Sequence, residues 1–277
     1  MRAWRRGSIP ASMHLFGWAA VLLYAAAEAL AVRDLFRPRG LGGAPILVGA
    51  GLAAQFTDLT ITARTLGSVP YRTLGGSMAL FGWMLGLAYL VLVLRHRERA
   101  VGPFLIPFIL LFSVLGVVFP SHVAPAGPST RGTVFAFHVT LAMLAYAAFA
   151  LSFVLSLLYL IQNRQIRRGR TGILFARLPA LDVIGRMNRT SVTIGLLVLS
   201  VSVVLGVAWA RRVWTAPVDA KLAWALVTLL VYGVLLWMDR RGWAGPRVAL
   251  LSIVGFILVL FSYTFVNLYL SHSHVFR

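Results

Sequence analysis

Residues 137–169 read FHVTLAMLAYAAFALSFVLSLLYLIQNRQIRRG. From Val134 to Ile161 there is no aspartate, glutamate, lysine or arginine. A hydrocarbon layer of ~30 Å is crossed by about twenty apolar residues in helical conformation. This run is long enough, shows no strand-like alternation and ends on clustered arginines, so it predicts a transmembrane helix. Working outward, seven further runs of the same kind occupy residues 14–32, 44–63, 77–94, 102–120, 191–210, 221–238 and 248–270. The weakest is 44–63, which Gln55 and Asp58 interrupt. No soluble domain of useful size remains between the runs. The expected fold class is all-α, a polytopic membrane protein of about eight transmembrane helices. A four-helix region at 1–130 precedes a second at 131–277.

Composition agrees. The chain is 60% hydrophobic and 12% charged, roughly half the charged share of a soluble domain. Its 26 lysines and arginines stand against seven acidic residues, a net charge of +19. The arginines fall between apolar runs rather than along one face, which reads as topology signals rather than as a nucleic-acid surface. Connections 33–43, 95–101, 162–190 and 239–247 hold sixteen basic residues, against ten in the alternate set. The richer set is expected in the cytoplasm, which places both termini outside. Arg2, Arg5 and Arg6 run against this placement. MRAWRR and the small residues Ala25 to Ala31 resemble a secretory signal, but the run is long enough to span and is read as a retained first helix.

There is no cysteine. That excludes a CxxCH haem-attachment site in this chain, a thiol–disulfide role and a cysteine-ligated metal. In the connection 162–190, Leu174, Leu178, Leu181 and Ile184 recur at helical spacing between arginines, as in an amphipathic helix lying at the interface.

Six histidines are the candidates for chemistry. His14 and His96 close the ends of the first and third runs and read as interfacial polar residues. His122, His138, His272 and His274 all fall on the outer face under this topology. Imidazoles from two helices would supply both axial ligands of a haem iron, but spacing alone does not choose between that and interfacial histidines satisfied by water. The outer connection AWARRVWTAPVDAKLAW (208–224) concentrates Trp209, Trp214 and Trp224 around Asp219 and Lys221. It reads either as an aromatic belt or as a platform under a flat ligand, with Arg211, Arg212 and Lys221 available for carboxylates. The intramembrane carboxylates Glu28 and Asp58 read first as helix-packing or snorkelling residues and second as a proton or ion path. No P-loop, dinucleotide fingerprint, HExxH or nucleophile elbow appears.

Three segments carry a family resemblance. The histidine-led helix 137–169 resembles that of the cytochrome c assembly family, haem-handling proteins of the CcsA and HemX type. LPALDVIGRMNRTSVTIGLLVLSVSVVLGVAWA (178–210) is similar to the family's next segment, with Leu181-Asp182, Arg186 one turn on and the closing Gly206-x-x-Trp209-Ala210. Residues 240–274 resemble its last helix, with Gly242-Trp243, Gly255-Phe256 and Val266-Asn267-Leu268. MALFGWMLGLAYLVLVLRHRERAVGPFLIPF (78–108) is more specifically HemX-like.

The resemblance implies that His138 and His274 ligate non-covalent haem b on the outer face. Trp214, Trp224, Asp219, Lys221, Arg211 and Arg212 would surround it. It implies a bacterial inner-membrane protein concerned with cytochrome c maturation or with regulation of haem synthesis. Implied partners are a ResB/CcsB-type membrane protein and apocytochrome c, and at most the chain forms part of a haem-attachment complex. Two departures stand out. In the tryptophan-rich loop, Ala216 and Val218 stand where the family has tryptophans, and Ala220 and Leu222 replace a proline and a glutamate. Trp237 stands where the CcsA type has an inner histidine, which favours the HemX-like branch. The rival readings are a proton-coupled transporter using Glu28 and Asp58, or a purely structural subunit.

Overall fold

The computed structural model describes residues 14–37, 42–66, 69–119, 132–169, 172–213 and 220–261, without the side chains of residues 66, 70, 173, 174, 212, 213, 220 and 221. These residues form helices α1 (Leu15–Phe36), α2 (Ala44–Leu66), α3 (Leu74–His96), α4 (Gly102–Val118), α5 (Thr133–Arg167), α6 (Ile173–Arg177), α7 (Leu181–Val213), α8 (Ala220–Arg240) and α9 (Gly245–Phe261), with one 3-10 turn at Pro70–Arg72. Six of them are long and apolar enough to cross a membrane, and α4 and α9 are shorter apolar helices of the same character. Together they account for the eight spans expected. The protein is an all-helical, multi-pass membrane protein.

The distribution of side chains fits lipid rather than water. Leu22, Ile46, Leu197 and Leu230 are each more than 60% exposed, whereas Gln55, Asp58, Ser152 and Asn188 are buried. In hydrocarbon the polar groups gain by turning inward to one another, and leucine loses nothing by facing out.

The chain forms two compact units, residues 1–90 with 102–125 and residues 91–101 with 126–277. In the first, α1 packs on α2 and α4. Gln55 of α2 ties the unit together: its Oε1 accepts from Tyr24 Oη at 2.8 Å and from Ser113 Oγ at 3.3 Å, and its Nε2 donates to the Ala79 carbonyl at 2.9 Å. One amide thus joins four helices. Asp58, one turn on, accepts from His14 Nδ1 at 3.0 Å and from the Gly17 backbone N–H at 3.1 Å. The carboxylate caps the start of α1 from a neighbouring helix, satisfying an amide that the helix itself cannot. The residues that weaken the second apolar run are therefore its inward-facing ones. Gln55→Leu would leave the Tyr24 and Ser113 hydroxyls without this acceptor. A loss of about 1–3 kcal/mol is expected, read as a lower detergent-denaturation midpoint by circular dichroism.

In the second unit α5 packs along α7 and against α9, and α8 packs on α7 and α9. At its centre the rings of Phe149 and Tyr232 stack with centroids 3.8 Å apart. Toward the start of α7, Asn188 Oδ1 accepts from Ser152 Oγ at 2.6 Å, and Ser152 and Ser252 hydroxyls lie 2.8 Å apart, joining α5, α7 and α9. Asp182 and Arg186 form an ion pair one turn apart on α7, and Arg189 pairs with Asp239 of α8.

The connection after α5 differs from the expected interfacial helix. α5 runs on to Arg167 and α7 starts at Leu181, leaving only the five-residue α6 between them. Leu178 is buried, and Ile184 is buried within α7. Gln162 Nε2 donates to the Pro179 carbonyl at 3.0 Å, tying the connection to α5. Proline cannot continue a helix through its own nitrogen, so the apolar stripe is divided between a short turn and the first turns of α7.

Candidate functional site

α5 begins at Thr133 after Gly132, whose φ of 127° suits glycine alone. His138 follows in the second turn, half-buried. Its Nδ1 lies 2.7 Å from the backbone carbonyl of Ser202 on α7. A carbonyl only accepts, so Nδ1 carries the proton and the neutral ring has its lone pair on Nε2. Ser202 answers in the other direction: its Oγ donates to the His138 carbonyl at 2.8 Å. The two residues clasp α5 to α7 reciprocally.

One turn along α7, Gly206 leaves room for the imidazole. A Cβ at that position would lie 2.6 Å from His138 Cε1 and 2.8 Å from Nδ1. Trp209, three residues on, is buried and packs on Phe135 at 4.7 Å between ring centroids, and Phe135 in turn lies 6.4 Å from His138. Gly206-x-x-Trp209 thus has a physical meaning: the glycine admits the ring and the tryptophan backs the phenylalanine beside it. Ser202, Gly206 and Phe135 were not singled out as site residues from sequence. The available signal for Ser202 was a hydroxyl within the apolar run LLVLSVSVVLG.

The other expected site residues are placed unevenly. Trp224 on α8 is half-buried with its ring against Phe261, centroids 5.1 Å apart. Arg211 is exposed near the end of α7. Trp214, Asp219 and His274, like His122 and His272, lie outside the described residues, as do the side chains of Arg212 and Lys221. His14 is engaged by Asp58, and His96 Nε2 lies 2.9 Å from Thr190 Oγ1. Among the carboxylates, Glu28 Oε2 is buried with no hydrogen-bond partner among the described residues. At the opposite end of the second unit, Tyr159, Asn188, Arg189, Asp239 and Gly245 line a cavity of about 40 Å³. That is room for a water or two, far short of a porphyrin. Trp237 is 53% exposed, with the Arg241 guanidinium 5.2 Å from its ring centroid.

What His138 presents is suited to a metal. Ligating histidines donate their second N–H to a carbonyl or carboxylate, which fixes the tautomer and strengthens the ligand nitrogen. The Ser202 carbonyl does this for His138, so a haem iron would be taken by Nε2.

Known proteins resemble this chain over much of its length. The Cytochrome C assembly protein family matches residues 71–274. A protein of Parasynechococcus marenigrum named cytochrome c biogenesis protein CcsA is 31% identical over 169 residues, covering 52% of this chain and 55% of its own length. A Prochlorococcus marinus protein of the same name is 28% identical over 248 residues, covering 78% of this chain and 80% of its own. A Synechococcus relative, also so named, is 31% identical over 52% of this chain and 56% of its own length. The chain thus spans a little over half of two of these relatives and four-fifths of the third. With nearly three-quarters of its length matched, the chain belongs to the cytochrome c assembly protein family.

Proposed function

We propose that the protein acts in cytochrome c maturation by holding haem b non-covalently at the outer face of the bacterial inner membrane. His138 and His274 are the axial ligands. Trp214 and Trp224 form the platform, with Asp219 beside them, and Arg211, Arg212 and Lys221 receive the propionates. The single observation that supports this most is the hydrogen bond from His138 Nδ1–H to the Ser202 carbonyl, which leaves the lone pair on Nε2. The relatives' shared name, cytochrome c biogenesis protein CcsA, supports the same role.

Bound haem supplies an iron whose redox state answers to its axial ligands and their hydrogen bonds. The chain's own residues orient the ligand ring, keep one nitrogen protonated and set Phe135, backed by Trp209, beside it. With no cysteine in the sequence, thioether formation would use the cysteines of apocytochrome c, presented with a ResB/CcsB-type membrane partner. Trp237 in place of the inner histidine favours holding haem over carrying it across. It is also compatible with the HemX-like role of regulating haem synthesis. The transporter reading loses ground, because Asp58 is engaged in capping α1.

The test is the visible spectrum of the detergent-purified, haem-replete protein in both oxidation states, beside His138→Ala and His274→Ala. A low-spin, bis-histidine Soret band is expected in the wild type, and each substitution should weaken haem affinity at least tenfold. A wild type with no Soret band would leave the family scaffold without its haem.

A further inference from the structure

From the geometry around α7 we infer that Gly206 and the Ser202 carbonyl are positioning residues for His138, together locking its imidazole as the Nδ1–H tautomer with the lone pair on Nε2. Its role toward haem rests on the function proposed above; the locking itself does not.

Three observations carry it. The Ser202 carbonyl sits 2.7 Å from Nδ1 and can only accept, and the Ser202 hydroxyl, 3.1 Å from Nδ1, gives its proton to the His138 carbonyl, so the proton belongs on Nδ1. The Ser202 hydroxyl donates to the His138 carbonyl at 2.8 Å, so the helix segments bearing donor and acceptor are held in register from both sides. At Gly206 a side chain of any size would occupy ring space, since even a Cβ would lie 2.6 Å from Cε1 and 2.8 Å from Nδ1. The imidazole would have to swing away, and with it the Nδ1–H would leave the carbonyl. A histidine that turns freely also exchanges tautomers, and the form protonated at Nε2 has no lone pair there for the metal. Holding one tautomer in one orientation removes that cost before the metal arrives, and loss of such second partners typically weakens metal binding about 10–100-fold.

A second glycine on the same helix provides the control. A Cβ at Gly195 would meet the Phe149 ring at 2.5 Å. Gly195→Ala therefore disturbs α7 packing to a similar degree, but about 16 Å along the axis from Gly206. Ser202→Ala keeps the carbonyl and removes only the hydroxyl.

The experiment uses the full chain labelled with 15N-histidine in detergent, free of haem. The His138 signals are identified by their loss in His138→Ala, and each protein is then titrated with haem. Wild type and Gly195→Ala should show His138 protonated at Nδ1 and unprotonated at Nε2. Ser202→Ala should keep that form, with only a small fall in affinity. Gly206→Ala should show mixed tautomers and at least tenfold weaker haem binding, with added imidazole restoring the low-spin spectrum. A wild-type His138 protonated at Nε2 would overturn the inference without need of any variant. So would a Gly195→Ala protein that behaves like Gly206→Ala. A locked Nδ1–H form that Gly206→Ala releases, found with no haem band dependent on His138, would uphold the positioning and overturn the haem reading instead.

Discussion

Replacing Asp58 by alanine should destabilise the first unit by about 3–5 kcal/mol, since two buried hydrogen bonds to one carboxylate are lost together, each worth about 1.5–3 kcal/mol. Both side chains of the His14–Asp58 pair are only 8% exposed. Without the carboxylate, His14 Nδ1 and the Gly17 N–H lose their acceptor together, at the end of α1 where the helix has none of its own to offer. Asp58→Asn should cost clearly less, since an amide oxygen still serves Gly17. In a double-mutant cycle, His14→Ala should hurt little once Asp58 is already alanine, because the two side chains share one interaction. Detergent-induced unfolding followed by circular dichroism measures all three. Equal losses for the alanine and asparagine variants would show that the charge, rather than the cap, dominates.

Gly116→Ala should be nearly as damaging although it adds a single methyl. That carbon would fall 2.6 Å from Ala79 Cβ, 2.7 Å from its Cα and 2.8 Å from its nitrogen. These are backbone and near-backbone atoms with no rotamer to yield, so α3 and α4 must separate. Overpacking of this kind costs about 1–3 kcal/mol. Separation also strains the Gln55 bond to the Ala79 carbonyl on the same turn of α3, which places the expected loss at the upper end of that range. The same denaturation measurement applies, and Ala79→Gly in the Gly116→Ala background should recover part of the loss. No recovery would mean that the helices had already found another packing.

Much of the fold was legible because a bilayer imposes a simple rule on sequence: apolar runs of sufficient length become helices. The ends were less so. α5 runs to Arg167 and α7 starts at Leu181, because helical hydrogen bonding does not stop where hydropathy does. Gln55 and Asp58 read as weaknesses in the second run. They turned out to be its contacts, and periodicity cannot reveal which polar residue meets which. At the site, His138 was visible through the motif that it leads. Its orientation was not, because the groups that fix it are a backbone carbonyl and a missing side chain. Neither Ser202 O nor the space at Gly206 has a signature in composition. The C-terminal end of α8 gives a similar lesson: Trp237 reads as a substitution in the sequence, and only the structure turns it outward under Arg241.

The inward-facing polar groups of α2 also bear on how the protein is made. A segment with a glutamine at its middle and an aspartate one turn further on is a poor candidate for entering the bilayer alone, since an aspartate at a helix centre costs about 2.5–3.5 kcal/mol during translocon insertion. The partners that offset this, Tyr24 and His14 with the start of α1, are synthesised immediately before it. The expected consequence is that α1 and α2 enter lipid together as a hairpin. The later helices can then be added to that pair.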